Sequence, residues 1–153
     1  MEFLEVSPTR DDIVKLIEEL NQETGQLYPP ECTFQDSPEL LERSSSFMGA
    51  ILINGKPVAI GAVKFFDSYS EIKRMYVRES HRGIGLASKI LSSLELVSLK
   101  RGKRICFLET GIYQGAAIAL YQKSGFVRTG PFGSYRESKF NIYFKKDLSQ
   151  FDQ

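Results

Sequence analysis

Two apolar runs, FMGAILI (47–53) and KPVAIGAVKFF (56–66), flank the dipeptide Asn54-Gly55. Asn-Gly is the strongest short-range hairpin signal, because a type I′ turn needs φ > 0 at both central positions and these residues tolerate it. The spacing predicts two paired antiparallel strands. Past the turn Asp67-Ser68-Tyr69-Ser70, EIKRMYV (71–77) reads as a third strand of the same meander. In it Ile72, Arg74 and Tyr76 alternate with Glu71, Lys73, Met75 and Val77.

The rest of the chain must cover this sheet. Ile13, Leu16, Ile17 and Leu20 recur at helical spacing after Ser7-Pro8-Thr9, with Thr9 read as a cap three residues before Asp12; this predicts an amphipathic helix ending near Gly25. Residues 26–37 hold two prolines and no period, so they read as a loop, and Ser37-Pro38 as the cap and first residue of a short helix to about Arg43. Leu86, Ile90, Leu91, Leu94, Val97 and Leu99 mark a longer helix closing near Lys100. ICFLET (105–110) is a buried strand, 116–123 a helix stopped by Ser124-Gly125, and FVRTG and SKFNIYFKKDL two last strands, with Phe140, Ile142 and Phe144 on one face. With a strand at Glu2–Val6, the order is βα(α)βββαβαββ. That order predicts an α+β, three-layer fold, with a mixed, mostly antiparallel central sheet flanked by helices.

At 153 residues the chain makes one domain, 1–153, on the usual scale of roughly 100–200 residues per domain. Lys plus Arg number 20 against 19 Asp plus Glu, so nothing draws the chain to nucleic acid. No stretch approaches the roughly 18 apolar residues of a membrane span. Cys32, Cys106 and one histidine are too few for a zinc site or a disulfide framework, so a reduced, cytoplasmic protein without a metal is expected, with Cys106 a core residue.

The feature that carries chemistry is Arg82-Gly83-Ile84-Gly85-Leu86-Ala87, between the third strand and the long helix. The first N–H groups of a helix have no intrahelical partner, so small residues there leave backbone donors open to a phosphate or pyrophosphate. The chain has neither GxxxxGK[ST] nor GxGxxG, so Walker and dinucleotide sites are unsupported.

Arg82-x-x-Gly85-x-Ala87 does resemble the acyl-CoA loop of the GNAT superfamily of N-acetyltransferases, [Q/R]-x-x-G-x-[G/A]. A second family segment, N-x-x-A-x-x-L-Y-x-x-x-G-F, is matched at Ala117, Leu120, Tyr121, Gly125 and Phe126, while Gln114 stands where the family carries Asn. The likeness runs from about residue 47 to 146, and LETG, LYQKSGF and GPFGSY look like a subgroup of small bacterial-type acetyltransferases.

The resemblance implies acetyl-CoA as acyl donor. The amides of Gly83, Ile84, Gly85, Leu86 and Ala87, beside Arg82, would hold its pyrophosphate. The backbone of Met75, Tyr76 and Val77 would pair with the pantetheine arm, with Gln114, Ala117 and Tyr121 beside it. Tyr121 matches the tyrosine that protonates the leaving thiolate. Glu71 matches a family carboxylate that serves as general base, on the same strand face as Met75 by two-residue alternation; an ion-paired strand charge is the other reading, and Glu109 is a second candidate base. The function so implied is direct transfer of acetyl to a primary amine of a small molecule or peptide, by a monomer or homodimer, with no membrane or nucleic-acid partner. A non-catalytic acyl-CoA-binding or sensory module is the alternative.

Overall fold

The computed structural model describes residues 1–32 and 36–149. Its elements are β1 (Glu2–Glu5), α1 (Asp11–Gly25), α2 (Pro38–Arg43), β2 (Ser46–Ile53), β3 (Lys56–Phe65), β4 (Ser70–Val77), α3 (Leu86–Lys100), β5 (Ile105–Gly111), α4 (Gly115–Lys123), β6 (Val127–Thr129) and β7 (Asn141–Asp147), in the expected order. Single 3₁₀ turns at Pro30–Cys32 and Glu79–His81 are additional, the first inside the proline-containing loop. The strands form one sheet ordered β1-β2-β3-β4-β5-β7-β6. Every neighbouring pair is antiparallel except β4 with β5.

The hairpin forms as the sequence dictates, with Asn54 at φ 53° and Gly55 at φ 78°. Its two faces take different cover. Ile13, Leu16 and Ile17 of α1 press on Met48, Ala50, Ile60 and Ala62 on one side. Ile90, Leu91 and Leu94 of α3 join Ile51, Val63, Ile72, Leu108 and Phe144 on the other. Leu16 and Ile90 are fully buried, so truncating either to Ala would cost about 2–5 kcal/mol.

Two local expectations are corrected. Thr9 does not cap α1: the cap position is Arg10, and the Thr9 hydroxyl donates instead to Glu42 Oε2 at 2.9 Å. Phe140 lies ahead of β7 and packs on Tyr28 and Tyr113, away from Ile142 and Phe144. β7 is paired on both sides, and the edges of the sheet are β1 and β6. Ser37, by contrast, caps α2 as predicted, accepting from the Leu40 N–H at 3.1 Å.

The irregularity that matters most is in β4. Lys73 pairs with Ala62 but Tyr76 pairs with Ile60, so Arg74 and Met75 together oppose Gly61, and Arg74 adopts φ 59°. This β-bulge re-aims every side chain beyond it. Glu71 and Lys73 share a face with Tyr76 on the α1 side, whereas Met75 and Val77 join Ile72 against α3. Glu71 and Met75 therefore face opposite sides, contrary to simple alternation. Gly61 permits this: a Cβ there would stand 2.8 Å from Met75 Sδ.

Beside the bulge, β4 and β5 part. Their parallel pairing covers Ser70–Ile72 with Cys106–Leu108 and stops. From Lys73 and Glu109 onward the two strands diverge without a ladder between them, opening the sheet at its centre.

Candidate active site

The opening has a groove at one end and a small chamber at the other. The groove, about 640 Å³, is bounded by Met75, Tyr76 and Val77 of β4, by Arg82, Gly83, Gly85, Leu86 and Ala87, by Gln114, Ala117 and Tyr121 of the α4 region, and by Glu23 and Leu27 from the α1 side. The chamber, about 100 Å³, is lined by Glu71, Lys73, Arg74, Glu109, Tyr28, Tyr135 and Asn141. Leu20, Met75, Gln114 and Tyr121 border both, so the two spaces meet at these side chains.

In the groove the glycine loop behaves as its composition requires. Gly83 and Gly85 take φ 83° and 85°, and Gly85 is the cap residue of α3. No side chain caps the helix, so its leading N–H groups face an environment that an anion could satisfy. Ile84 is 64% exposed on the outer side of the loop. Arg82 is committed to the protein: Nε donates to the Val77 carbonyl at 2.8 Å, and an NH2 donates to Glu23 Oε1 at 2.9 Å. Its guanidinium also lies over the Tyr76 ring. Arg78 is likewise held by Glu19, and exposed His81 bonds to Ser80.

Gln114 sits at the cap position of α4, where its Oε1 accepts from the Gly111 N–H at 3.1 Å. The longer amide thus folds back to brace the end of β5. Tyr121 is buried at 6% exposure, with its ring against Phe126 and Phe144. Burial, and the negative charge of Glu109, hold its phenol well above the ordinary range, so it stays protonated.

The chamber holds two carboxylates in unlike surroundings. Glu71 is 4% exposed, accepts a hydrogen bond from Tyr135 Oη at 2.5 Å, and lies 3.5 Å from Lys73 Nζ. Burial raises its pKa, while Lys73 and the Tyr135 hydroxyl pull it back. Glu109 accepts from Asn141 Nδ2 at 2.6 Å, and among the described residues no cation lies within ion-pair distance of it. Burial is the dominant influence there and pushes its carboxyl up to about 7.

Of the site residues expected from sequence, the groove brings together Met75, Tyr76, Val77, the loop, Gln114, Ala117 and Tyr121, and the chamber holds Glu71 and Glu109. Asn141, Tyr28 and the Asp36–Lys73 pair escaped sequence reasoning. Asn141 reaches Glu109 from 32 residues away, and Tyr28 accepts from the Tyr113 N–H, 85 residues on. No local pattern encodes such contacts. A hint existed in Gly111, where any Cβ would collide with the Tyr28 ring. Cys106 is fully buried, its thiol pushed up to about 12 by burial, as expected of a core residue.

The site is built where a bulged strand parts from its parallel neighbour beside a glycine-capped helix, and comparison gives the family. The chain belongs to the Acetyltransferase (GNAT) family, whose model matches residues 11–126, and it is an acetyltransferase. An IAA acetyltransferase from Azospirillum brasilense is 35% identical over 144 residues, spanning 93% of this chain and 94% of that protein. A Klebsiella pneumoniae crystal structure, assigned as an acyl-CoA N-acyltransferase, superposes with a TM-score of 0.82 at 30% identity over 96% of this chain and 97% of that one. The PaiA N-acetyltransferase of Thermoplasma acidophilum, solved with coenzyme A, shares the fold at a TM-score of 0.73 and 16% identity, over 96% and 99% of the two chains. Among the described residues no helix is long and apolar enough to cross a membrane.

Proposed function

We propose that the protein transfers acetyl from acetyl-CoA directly to a primary amine, with the groove holding the donor and the chamber the acceptor. The observation that carries this reading is the meeting of the two spaces at Met75, Gln114 and Tyr121, beside a carboxyl group poised near neutrality.

The residues fit the donor. The N–H groups of residues 83–87 at the start of α3 suit a pyrophosphate. The β4 backbone from Lys73 to Val77, without a ladder toward β5, offers the groups that an extended amide-bearing arm can pair with. Bound there, acetyl-CoA supplies an activated thioester carbonyl. The Met75 amide is the backbone donor assigned to polarise it, an effect on the order of 10²- to 10³-fold in rate.

The acceptor must shed a proton, since an alkylammonium of pKa near ~10.4 is almost wholly charged at pH 7. Glu109 is assigned that proton, because its half-titrated carboxyl can take it up at neutral pH while Glu71 is already engaged by Tyr135 and Lys73. Glu71 then acts as the neighbour that fixes Tyr135 and Lys73 along the chamber wall. The buried Tyr121 hydroxyl, held protonated, is assigned as the donor toward the leaving sulfur. Two free cysteines suit a reducing cytoplasm.

The test is incubation of the purified protein with acetyl-CoA and n-butylamine, following thiol release and the mass of the product. The reading predicts N-acetylbutylamine formed in step with free CoA thiol. Acetyl-CoA that binds but is never passed to any primary amine would contradict it.

A further inference from the structure

The chamber's charges are unequally engaged. Lys73 Nζ lies 3.5 Å from Glu71 and 3.9 Å from Asp36. Arg74 donates through one NH2 group to Asn21 Oδ1 at 2.6 Å and through the other to the Asp36 carbonyl at 2.8 Å. Asp36 in turn is 3.1 Å from Lys64. Glu71 holds Tyr135 as well as Lys73. That leaves Glu109, whose partner is the neutral amide of Asn141. Among the described residues, an entering group therefore meets cations already committed to protein oxygens and one carboxylate without a counter-ion. Burial of a charge is costly unless it is paired, so the chamber favours a cationic guest and opposes an anionic one.

Shape narrows the guest further. About 100 Å³ between Leu20, Tyr28, Ile72, Met75 and Tyr121 admits a few heavy atoms on a narrow stem. We propose that the acceptor is a primary ammonium at the end of an unbranched alkyl stem with no carboxylate beside the nitrogen, and that Glu109 selects it. This rests on the N-acetyltransferase reading above. A small alkylamine and a lysine side chain both present that chemistry.

The experiment compares kcat/KM for n-butylamine, norvaline, norvalinamide and an N-acetyl-lysine methylamide, with acetyl-CoA saturating. Norvaline adds a carboxylate to butylamine at the carbon bearing nitrogen, and norvalinamide keeps that bulk without the charge. The proposal expects norvaline to fall at least 50-fold below butylamine and norvalinamide to recover at least tenfold over norvaline. Turnover of the lysine derivative alongside butylamine would assign the source to protein side chains; butylamine alone would assign it to free amines. Norvaline equal to or better than butylamine overturns the proposal, as does norvalinamide as poor as norvaline, since bulk would then be the discriminator. No product from any amine, with acetyl-CoA still raising Tm, removes the transfer reading itself. A variant tests the charge argument: Asp36→Asn takes a carboxylate from Lys73 and should raise the norvaline-to-butylamine ratio at least fivefold. An unchanged ratio would overturn the argument that the chamber rejects a carboxylate because its cations are engaged.

Discussion

At the scale of single residues the sharpest prediction belongs to Glu109. Burial, offset only in part by Asn141 and by the charge of Lys73, pushes the Glu109 carboxyl up to about 7. If it takes the acceptor's proton, kcat/KM for the amine should rise with unit slope below pH 7 and bend near that value. Glu109→Gln should lower kcat at least 100-fold with little change in the acetyl-CoA KM, and should abolish the bend. The same residue has a stability signature. A carboxyl whose folded pKa lies above its unfolded one contributes stability that is fully present below about pH 4.5 and is lost as pH rises through about 7. A shift of this size corresponds to about 3 kcal/mol, so Glu109→Gln should unfold at a higher temperature than wild type at pH 8 and lose that advantage at pH 4. Tyr121→Phe keeps the ring contacts with Phe126 and Phe144 and removes only the hydroxyl; we expect kcat to drop 10- to 100-fold while CoA affinity holds. An unchanged kcat would withdraw the proton from Tyr121.

At the scale of elements, the loop before α3 depends on backbone conformation more than on side chains. Gly85 caps the helix at φ 85°, with open space where a Cβ would go, so Gly85→Ala meets no clash and only a conformational penalty of roughly 1–2 kcal/mol. Calorimetry should show weakened CoA binding in that variant at a modest loss of Tm; unaltered affinity would mean that the loop's shape is immaterial to the donor. Most elements were legible in sequence because each rests on a local signal: Asn54-Gly55 for the hairpin, Ser37-Pro38 for α2, the apolar spacing of residues 86–99 for α3. What misled was also local. Alternation along β4 placed Glu71 with Met75, but Arg74 at positive φ inserts a residue and exchanges the faces. A bulge arises from pairing with β3 and from the space that Gly61 leaves under α3, which the β4 sequence alone does not display.

At the scale of the whole molecule, the active site is where the sheet fails to close. β5 follows β4 in space only through Ile72 and Leu108, and the gap beyond joins the donor groove to the acceptor chamber. The groove was legible because its residues, 75–77, 82–87 and 114–121, lie in contiguous motifs. In the chamber only Glu71 and Glu109 stood out as candidate bases; Tyr28 and Asn141 did not, because they come from separate elements and meet the carboxylates only in the fold. The donor end of this gap is the proposed coenzyme A site. It is tested most directly by the thermal transition measured with saturating acetyl-CoA, CoA and ATP side by side, since a ligand bound only by the folded state raises Tm by mass action. Both CoA species should raise Tm and ATP should not. No rise with acetyl-CoA would show that the loop at residues 82–87 is not a working cradle, and the transfer reading would fall with it.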